Sequence, residues 1–156
     1  MQILVDKKEI VSINKRLGQL DKDLTRSETL LSLAQLVLDM IEIRTHSHKD
    51  YNGSPFKPYT PKYANKKGVS QANVNLYSQN TGQHMLNDMA VRVLSNNASE
   101  VYFQTQSKRE LALRHMTGDI RGGKKREFFA VNNTDIGKVI DEYQNVVAKS
   151  LDKNGF

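Results

Sequence analysis

Cysteine and tryptophan are absent from this chain of 156 residues, and proline occurs only three times. The lack of cysteine excludes a disulfide framework, a thiolate zinc site and a cysteine nucleophile. No apolar run approaches the ~18 residues of a membrane span, and the first residues are too short in their apolar part for a signal peptide. A chain of this length is expected to bury roughly 70% of its unfolded surface, so it needs no disulfide or metal ion to be stable. We therefore expect a single domain over 1–156, made in a cytoplasm, with no cofactor and no membrane contact.

Positive charge is concentrated in two segments. The formal net charge is +6, from 23 Lys and Arg against 17 Asp and Glu. Residues 44–68 contain six basic residues and one acid, and residues 108–126 contain seven basic residues and two acids. The rest of the chain is therefore net acidic. Such a distribution indicates anionic partners rather than a particular fold.

The N-terminal part of the chain predicts a strand and two helices. Residues 2–5 are typical of a short strand, and apolar residues at helical spacing over 7–20 predict a helix. Thr25 and Glu28 have the spacing of a capping box at the start of a second helix. That helix is apolar on more than one face as far as Ile43, which favours either a central position in the core or a contact with a neighbouring subunit.

The C-terminal part predicts a β-hairpin followed by alternating elements. Two strand-like runs, over 89–94 and 100–105, flank the turn signal Asn96-Asn97. The further elements are a helix over 108–115 capped by Ser107, a basic loop over 118–126, a strand over 127–131, and an amphipathic helix capped by Asn133 or Thr134. This order predicts an α+β domain with a small, mostly antiparallel sheet packed on helices.

Residues 45–82 have no hydrophobic period and contain all three prolines. A structureless stretch of this length is unusual inside a compact domain. Its aromatic residues would be unnecessary in a solvated linker, so we predict a long extended irregular arm that a neighbouring subunit orders. The predicted intersubunit contacts are Tyr51, Phe56, Tyr59 and Tyr63. Stacking on nucleic-acid bases is the alternative use of these rings.

Two short patterns approach known site motifs. Residues 118–125 nearly match the phosphate-binding loop G-x-x-x-x-G-K-[ST], but the last position is Lys, and the predicted order of helix, loop and strand differs from that motif. His46 and His48, with Asp50, supply too few ligands for a structural zinc. The basic loop is better interpreted as a surface that attracts phosphates without reading sequence. Its predicted DNA-facing or partner-facing residues are Arg121, Lys124, Lys125 and Arg126.

Several segments together resemble a known family. They are residues 50–59 (DYNGSPFKPY), 60–67, 76–85, 112–118 (ALRHMTG) and 126–129 (REFF), followed by Asn133-Thr-Asp135 and a helix. In this order they are similar to the virion-morphogenesis family of tailed phages, the tail-completion or neck proteins of Mu-like phages and prophages. Phe56 stands where the family usually has Trp, and Glu127 replaces a common proline.

The resemblance implies a structural virion component and not an enzyme. Members are expected to form a homo-oligomeric ring, with a hexamer as one candidate, at the neck or the tail terminus. The ring would complete the tail or join it to the head. The implied partners are further copies, other phage head, neck or tail proteins, and passing duplex DNA. The implied location is the virion, after assembly in the bacterial host cytoplasm.

Two other classes of function stay open from the residues alone. The first is a small basic nucleic-acid-binding protein that acts alone, which the charge distribution favours. The second is a hydrolase or nuclease that uses His and Lys, with His115 as the residue it would require. The scattered carboxylates form no constellation that selects this second class.

Overall fold

The computed structural model of the chain describes residues 7–74, 76, 85–120 and 124–156. The elements are α1 (Lys7–Leu24), α2 (Ser27–His46), α3 (Pro61–Lys67), a 3₁₀ turn (Met85–Asp88), β1 (Met89–Ser95), β2 (Ala98–Phe103), α4 (Gln106–Thr117) and α5 (Asn133–Lys153). The α+β prediction is confirmed, because a two-stranded antiparallel sheet packs on helices. The strand predicted over 2–5 lies outside the described residues. Within the described ranges, no helix has the length and apolar character needed to cross a membrane.

The hairpin forms as predicted, with its turn at Asn96-Asn97. Met89 pairs with Phe103 and Val91 with Val101, and the register shifts between Val93 and Ser95. Both strands contact α2. The Ser99 hydroxyl donates a hydrogen bond of 2.8 Å to the carbonyl of Leu30 in that helix.

The core is built around α2, as one of the two interpretations of its apolar faces predicts. Leu38 and Ile41 of α2 are buried together with residues from the hairpin, α4 and the irregular segments. Phe128 is fully buried, and its ring lies 6.5 Å from that of Phe103, edge to face. Apolar contacts between segments that are distant in the chain therefore hold the sheet, α2 and the 127–131 segment together.

Two predicted helix caps are wrong in detail. Thr25 does not cap α2; its hydroxyl donates a 2.8 Å hydrogen bond to the Asp21 carbonyl and so closes the end of α1. The residue before α2 is Arg26, which makes no side-chain capping bond. Similarly, Thr105 rather than Ser107 precedes α4, again without a capping bond from its side chain.

The strand predicted over 127–131 does not form, because its carbonyls are bound from elsewhere. Arg44 donates hydrogen bonds to the carbonyls of Ala130 (2.5 Å) and Phe128 (3.4 Å). The Tyr51 amide donates to the Glu127 carbonyl at 2.7 Å. The segment is therefore irregular, although its Phe128 side chain is as buried as a core strand would make it.

The start of α5 is fixed by a capping box one residue earlier than predicted. The Asn132 side chain accepts from the Asp135 amide at 2.8 Å, and the Asp135 carboxylate accepts from the Asn132 amide at 3.2 Å. The same carboxylate forms an ion pair of 2.5 Å with Arg44, and both side chains are about nine-tenths buried. Arg44 thereby joins the end of α2 to the start of α5.

A second polar junction joins α1 to the end of α5. The buried Asp23 carboxylate accepts hydrogen bonds from Lys153 (3.1 Å), Asn154 (3.2 Å) and Gln19 (3.1 Å). The hydrogen bond from Asn154, followed by that from Lys153, holds the pKa of Asp23 below its usual value. The C-terminal half of α1 therefore lies at the C-terminal end of α5.

We expect Arg44→Leu to lower the free energy of unfolding by about 3 kcal/mol, because it leaves a buried carboxylate without its cation and removes the side-chain donor of two carbonyls. The measurement is urea unfolding of both proteins. The matched control is Arg92→Leu, which breaks the exposed 2.6 Å pair with Glu100 and should cost about 1 kcal/mol or less. Equal losses for the two variants would contradict a central role for Arg44.

Candidate functional site: a basic and aromatic cluster

Residues 45–82 are irregular for the most part, as predicted, but their described part lies against the chain's own core. Phe56 and Tyr59 are only 5% and 6% exposed, and residues 61–67 form α3. This corrects the prediction that Phe56 and Tyr59 contact a neighbouring subunit, because their own chain already buries both rings. Tyr63 is exposed and Tyr51 is half-buried, so their intersubunit role stays a prediction.

A tight turn places Phe56 in the core. The Asp50 carboxylate accepts hydrogen bonds from the amides of Asn52 (3.0 Å) and Ser54 (2.9 Å). Gly53 has a φ of +83°, which favours glycine. The turn closes when the Phe56 amide donates to the His48 carbonyl at 2.8 Å. This is the acidic, glycine-containing turn that carries part of the family resemblance.

The short helix α3 presents Tyr63 and Lys67 one turn apart. Thr60 caps it by accepting from the Tyr63 amide at 3.3 Å, Pro61 occupies its first turn, and Gly68 ends it with a φ of +67°. Thr-Pro before a helix and Gly after it are ordinary boundary signals. They could have revealed α3 in the sequence.

Five residues from three separate parts of the chain meet beside α3: Tyr59, Tyr63, Lys67, His115 and Arg126. We call them the Lys67–Arg126 cluster. Lys67 Nζ donates a 2.9 Å hydrogen bond to Tyr59 Oη and lies 4.8 Å from the centre of the Tyr59 ring. The Tyr63 ring meets the Tyr59 ring edge to face at 4.9 Å. Arg126 Cζ lies 5.2 Å from the centre of the Tyr59 ring.

Arg126 brings the two basic segments of the sequence together. Its amide donates to the His115 carbonyl at 2.8 Å, and its Nη2 donates to the Lys57 carbonyl at 3.4 Å. The residue is only 3% exposed. The prediction that Arg126 faces a channel or a neighbouring ring is therefore wrong, because its side chain is buried against Tyr59.

The other residues of the predicted basic loop have different environments. Lys124 is half-buried, and its Nζ donates to the Pro58 carbonyl. Lys125 is exposed and pairs with Glu127 at 2.6 Å. Arg121 lies outside the described residues. The partner-facing role of Lys124 and Lys125 stays a prediction.

The electrostatics of the cluster are those of cations removed from water. Burial, and then the nearby charge of Arg126, lower the pKa of Lys67 to about 8. Burial, followed by Arg126 and Lys67, lowers the pKa of His115 to about 4. Burial also lowers the pKa of Arg126. At neutral pH, His115 is neutral while Lys67 and Arg126 are largely charged.

No metal centre accompanies this cluster in the described part of the chain. There, no group of three or more His, Asp or Glu side chains could hold a metal ion. His46, His48 and Asp50 accordingly do not form a ligand set. Asp50 instead organises its own turn through backbone amides.

Two helices expose apolar stripes. Ile10, Ile13 and Leu17 of α1 are each between 40% and 50% exposed, and the same holds for Ile136, Ile140 and Tyr143 of α5. We call these the α1 stripe and the α5 stripe. Arg16 of α1 donates a 2.5 Å hydrogen bond to the Gly155 carbonyl, so α1 lies at the far end of α5. At ~1.5 Å per residue, about 20 Å of helix separates Ile140 from that end.

Comparison of the chain with protein-family models, curated proteins and solved structures found no match. The function must therefore be inferred from the residues themselves. The structure defines an α+β domain with a basic and aromatic cluster beside α3 and with apolar stripes on α1 and α5.

We expect Lys67 to react with an acetylating reagent at pH 8 at least about tenfold faster than a lysine of ordinary pKa, ~10.4, in the same surroundings. The reason is that about half of its amine is neutral at pH 8. The measurement is mass-spectrometric labelling of the intact protein between pH 7 and 9, with exposed Lys62 on the same helix as internal reference. A Lys67 rate that rises through this range in parallel with that of Lys62, without levelling off near pH 8, would contradict the lowered pKa.

Proposed function

We propose that this protein is a structural subunit of a tailed phage or prophage that acts at the neck or the tail terminus. Copies of the chain form a ring that completes the tail or joins it to the head, and no reaction is catalysed. The observation that carries the assembly role is the pair of exposed stripes on α1 and α5. The ordered motifs from residue 50 to Asp135 supply the phage class by resemblance.

A ring requires two different surfaces on each subunit, because each copy meets one neighbour with its front and the other with its back. The α1 and α5 stripes meet this requirement, since they lie on different helices near opposite ends of α5. Contiguous apolar helix faces of this kind are typical of protein interfaces. Burial of the two stripes against each other would release ordered water and stabilise the assembly.

Charge favours a contact of α1 with α5 over a contact of either helix with itself. Residues 7–18 of α1 contain four basic residues and one acid, whereas residues 136–147 of α5 contain Lys138 against Asp141 and Glu142. The two stripes are therefore flanked by charges of opposite net sign. Such complementarity steers association and disfavours the symmetric alternatives.

We expect Leu17→Glu and Ile140→Glu each to abolish oligomers at high protein concentration, because each places a charge in the middle of one stripe. An equimolar mixture of the two variants should form a dimer and nothing larger, since one intact α1 stripe and one intact α5 stripe are left. The measurement is mass in solution by light scattering. Leu94→Glu is the matched control, because Leu94 is exposed on the hairpin away from both stripes.

Failure of the mixture to dimerise, or normal assembly of both single variants, would contradict the α1-to-α5 contact. In the phage, the same variants test the neck or tail role. Particles that carry only Ile140→Glu should contain heads and tails that fail to unite or tails that are incomplete, as seen by electron microscopy. Leu94→Glu should leave the particles normal. Normal particles with Ile140→Glu would contradict the structural role.

One observation favours the second candidate, a basic nucleic-acid-binding protein that acts alone. The structure brings Lys67 and Arg126, which belong to the two basic segments, to the same Tyr59 ring. This candidate requires the monomer to bind bare duplex DNA with an affinity that falls steeply with salt. It also requires the Ile140→Glu variant to bind the duplex with the same affinity as the natural chain.

A further inference from the structure

The Lys67–Arg126 cluster contains two cations and no carboxylate partner among the described residues. The acceptors in contact with them are the Tyr59 hydroxyl for Lys67, at 2.9 Å, and the Lys57 carbonyl for Arg126, at 3.4 Å. Both acceptors are neutral. Buried charges are normally paired with a charge of opposite sign, because removing them from water is costly.

The undescribed segments that adjoin the cluster in the sequence contain no acidic residue. Residues 51–87 contain four lysines and no Asp or Glu. Residues 121–123 also contain no acid. Asp6 is the single acidic residue outside the described ranges. The segments 51–87 and 121–126, which carry Lys67 and Arg126, therefore bring cations to the cluster and no acidic residue.

Hydrogen-bond donors in the cluster also exceed the acceptors. Arg126 has five N–H donors, yet its Nε is buried without a partner. Among the described residues, Lys67 donates one of its three N–H groups, to Tyr59. Tyr59 Oη accepts from Lys67 and is also hydrogen-bonded by the backbone of Leu76, which leaves its own proton to donate. His115 Nδ1 likewise has no partner.

Arg126 is reachable although its side chain is buried. It lines a cavity of about 280 Å³ together with Lys57, Lys125, Glu127 and residues of the Asp50 turn. Lys67 does not line this cavity; it is linked to Arg126 through the Tyr59 ring, which both cations contact. The two carboxylates of that cavity are already occupied: Asp50 is bound by amides of its own turn, and Glu127 is paired with Lys125. Lys67 is half-buried next to the exposed Tyr63 ring.

We propose that the Lys67–Arg126 cluster binds a phosphoryl group, whose oxygens accept hydrogen bonds from Lys67 and Arg126 and whose charge balances both cations. A phosphoryl group of this kind brings about −1.5 to −2 charge and three acceptor oxygens. A carboxylate offers a single charge and two oxygens, which is less than this set of donors can use. Arginine beside lysine is also a common arrangement for phosphate recognition. This site is separate from both stripes and does not depend on ring formation.

The test is calorimetric titration of the full chain with sodium phosphate, with a short DNA duplex and with sodium glutamate, all at one ionic strength set with chloride. Lys67→Met removes the charge and keeps the apolar stem, and Lys62→Met is the matched control on the same helix. We expect the natural chain to bind phosphate. Lys67→Met should weaken this binding at least about tenfold, which corresponds to the loss of one charge-assisted hydrogen bond. Lys62→Met and Ile140→Glu should bind phosphate as the natural chain does.

A second readout is the Lys67 amine itself, followed by NMR of its side chain. Bound phosphate should raise the pKa of Lys67 from its value of about 8, because the anion stabilises the charged form. This measurement needs no variant, so it is independent of any effect of substitution on folding. Arg126→Lys, which keeps a charge but loses the forked donor geometry, should weaken phosphate binding as well.

The outcomes decide between a terminal phosphoryl group and a nucleic-acid backbone. Lys67-dependent binding of free phosphate supports the proposal, whether or not the duplex also binds. Lys67-dependent binding of the duplex alone overturns it in favour of a nucleic-acid backbone, because each phosphodiester carries one charge and two free oxygens, no more than a carboxylate. The proposal is also overturned if phosphate does not change the Lys67 pKa, if glutamate binds as tightly as phosphate, or if Lys62→Met weakens binding as much as Lys67→Met does.

Discussion

The ion pair between Arg44 and Asp135 is the contact on which the remaining structure depends. Arg44 also donates to the carbonyls of Phe128 and Ala130, so one guanidinium holds the end of α2, the 127–131 segment and the start of α5. Phe128 is thereby placed in the core, and Arg126, two residues earlier, is placed beside Tyr59. Because the 127–131 backbone makes no ladder with another strand, its position comes from these side-chain donors, from the hydrogen bond of the Tyr51 amide to the Glu127 carbonyl and from the burial of Phe128.

The cluster beside α3 is a consequence of that placement. Lys67 reaches Tyr59 through a local helix, whereas Arg126 reaches the same ring through the Arg44-anchored segment. Burial, and then the charge of Arg126, lower the pKa of Lys67, and burial lowers the pKa of Arg126. No carboxylate among the described residues contacts these two cations, and this is the basis for the proposal that they bind an anion. This feature concerns binding and is independent of how copies of the chain assemble.

The apolar surface of the chain is divided between inside and outside. The faces of α2 that contact the hairpin are buried in the core, while the stripes on α1 and α5 are left exposed. The polar junction at Asp23 joins α1 to α5 without covering either stripe. Within the described part of the chain, these two helix faces remain exposed, and the sequences around them differ in the sign of their net charge. The proposed ring makes use of this division, since each face would be covered by a neighbouring copy.

Hydrophobic periodicity in the sequence was sufficient to locate the long elements: the helices over Lys7–Leu24 and Ser27–His46, the hairpin, and the final helix. Each of these is determined by local spacing, which needs no knowledge of distant residues. The segment 45–82 could not be placed in this way, because single anchors such as Phe56, Tyr59 and Val74 are buried at irregular intervals. The 127–131 segment was predicted wrongly for a related reason. Arg44, more than 80 residues away in the chain, donates hydrogen bonds to its carbonyls. The meeting of Lys67, His115 and Arg126 likewise follows only from the tertiary structure. These residues belong to segments that are distant in the sequence, and no sequence pattern indicates that the segments contact each other.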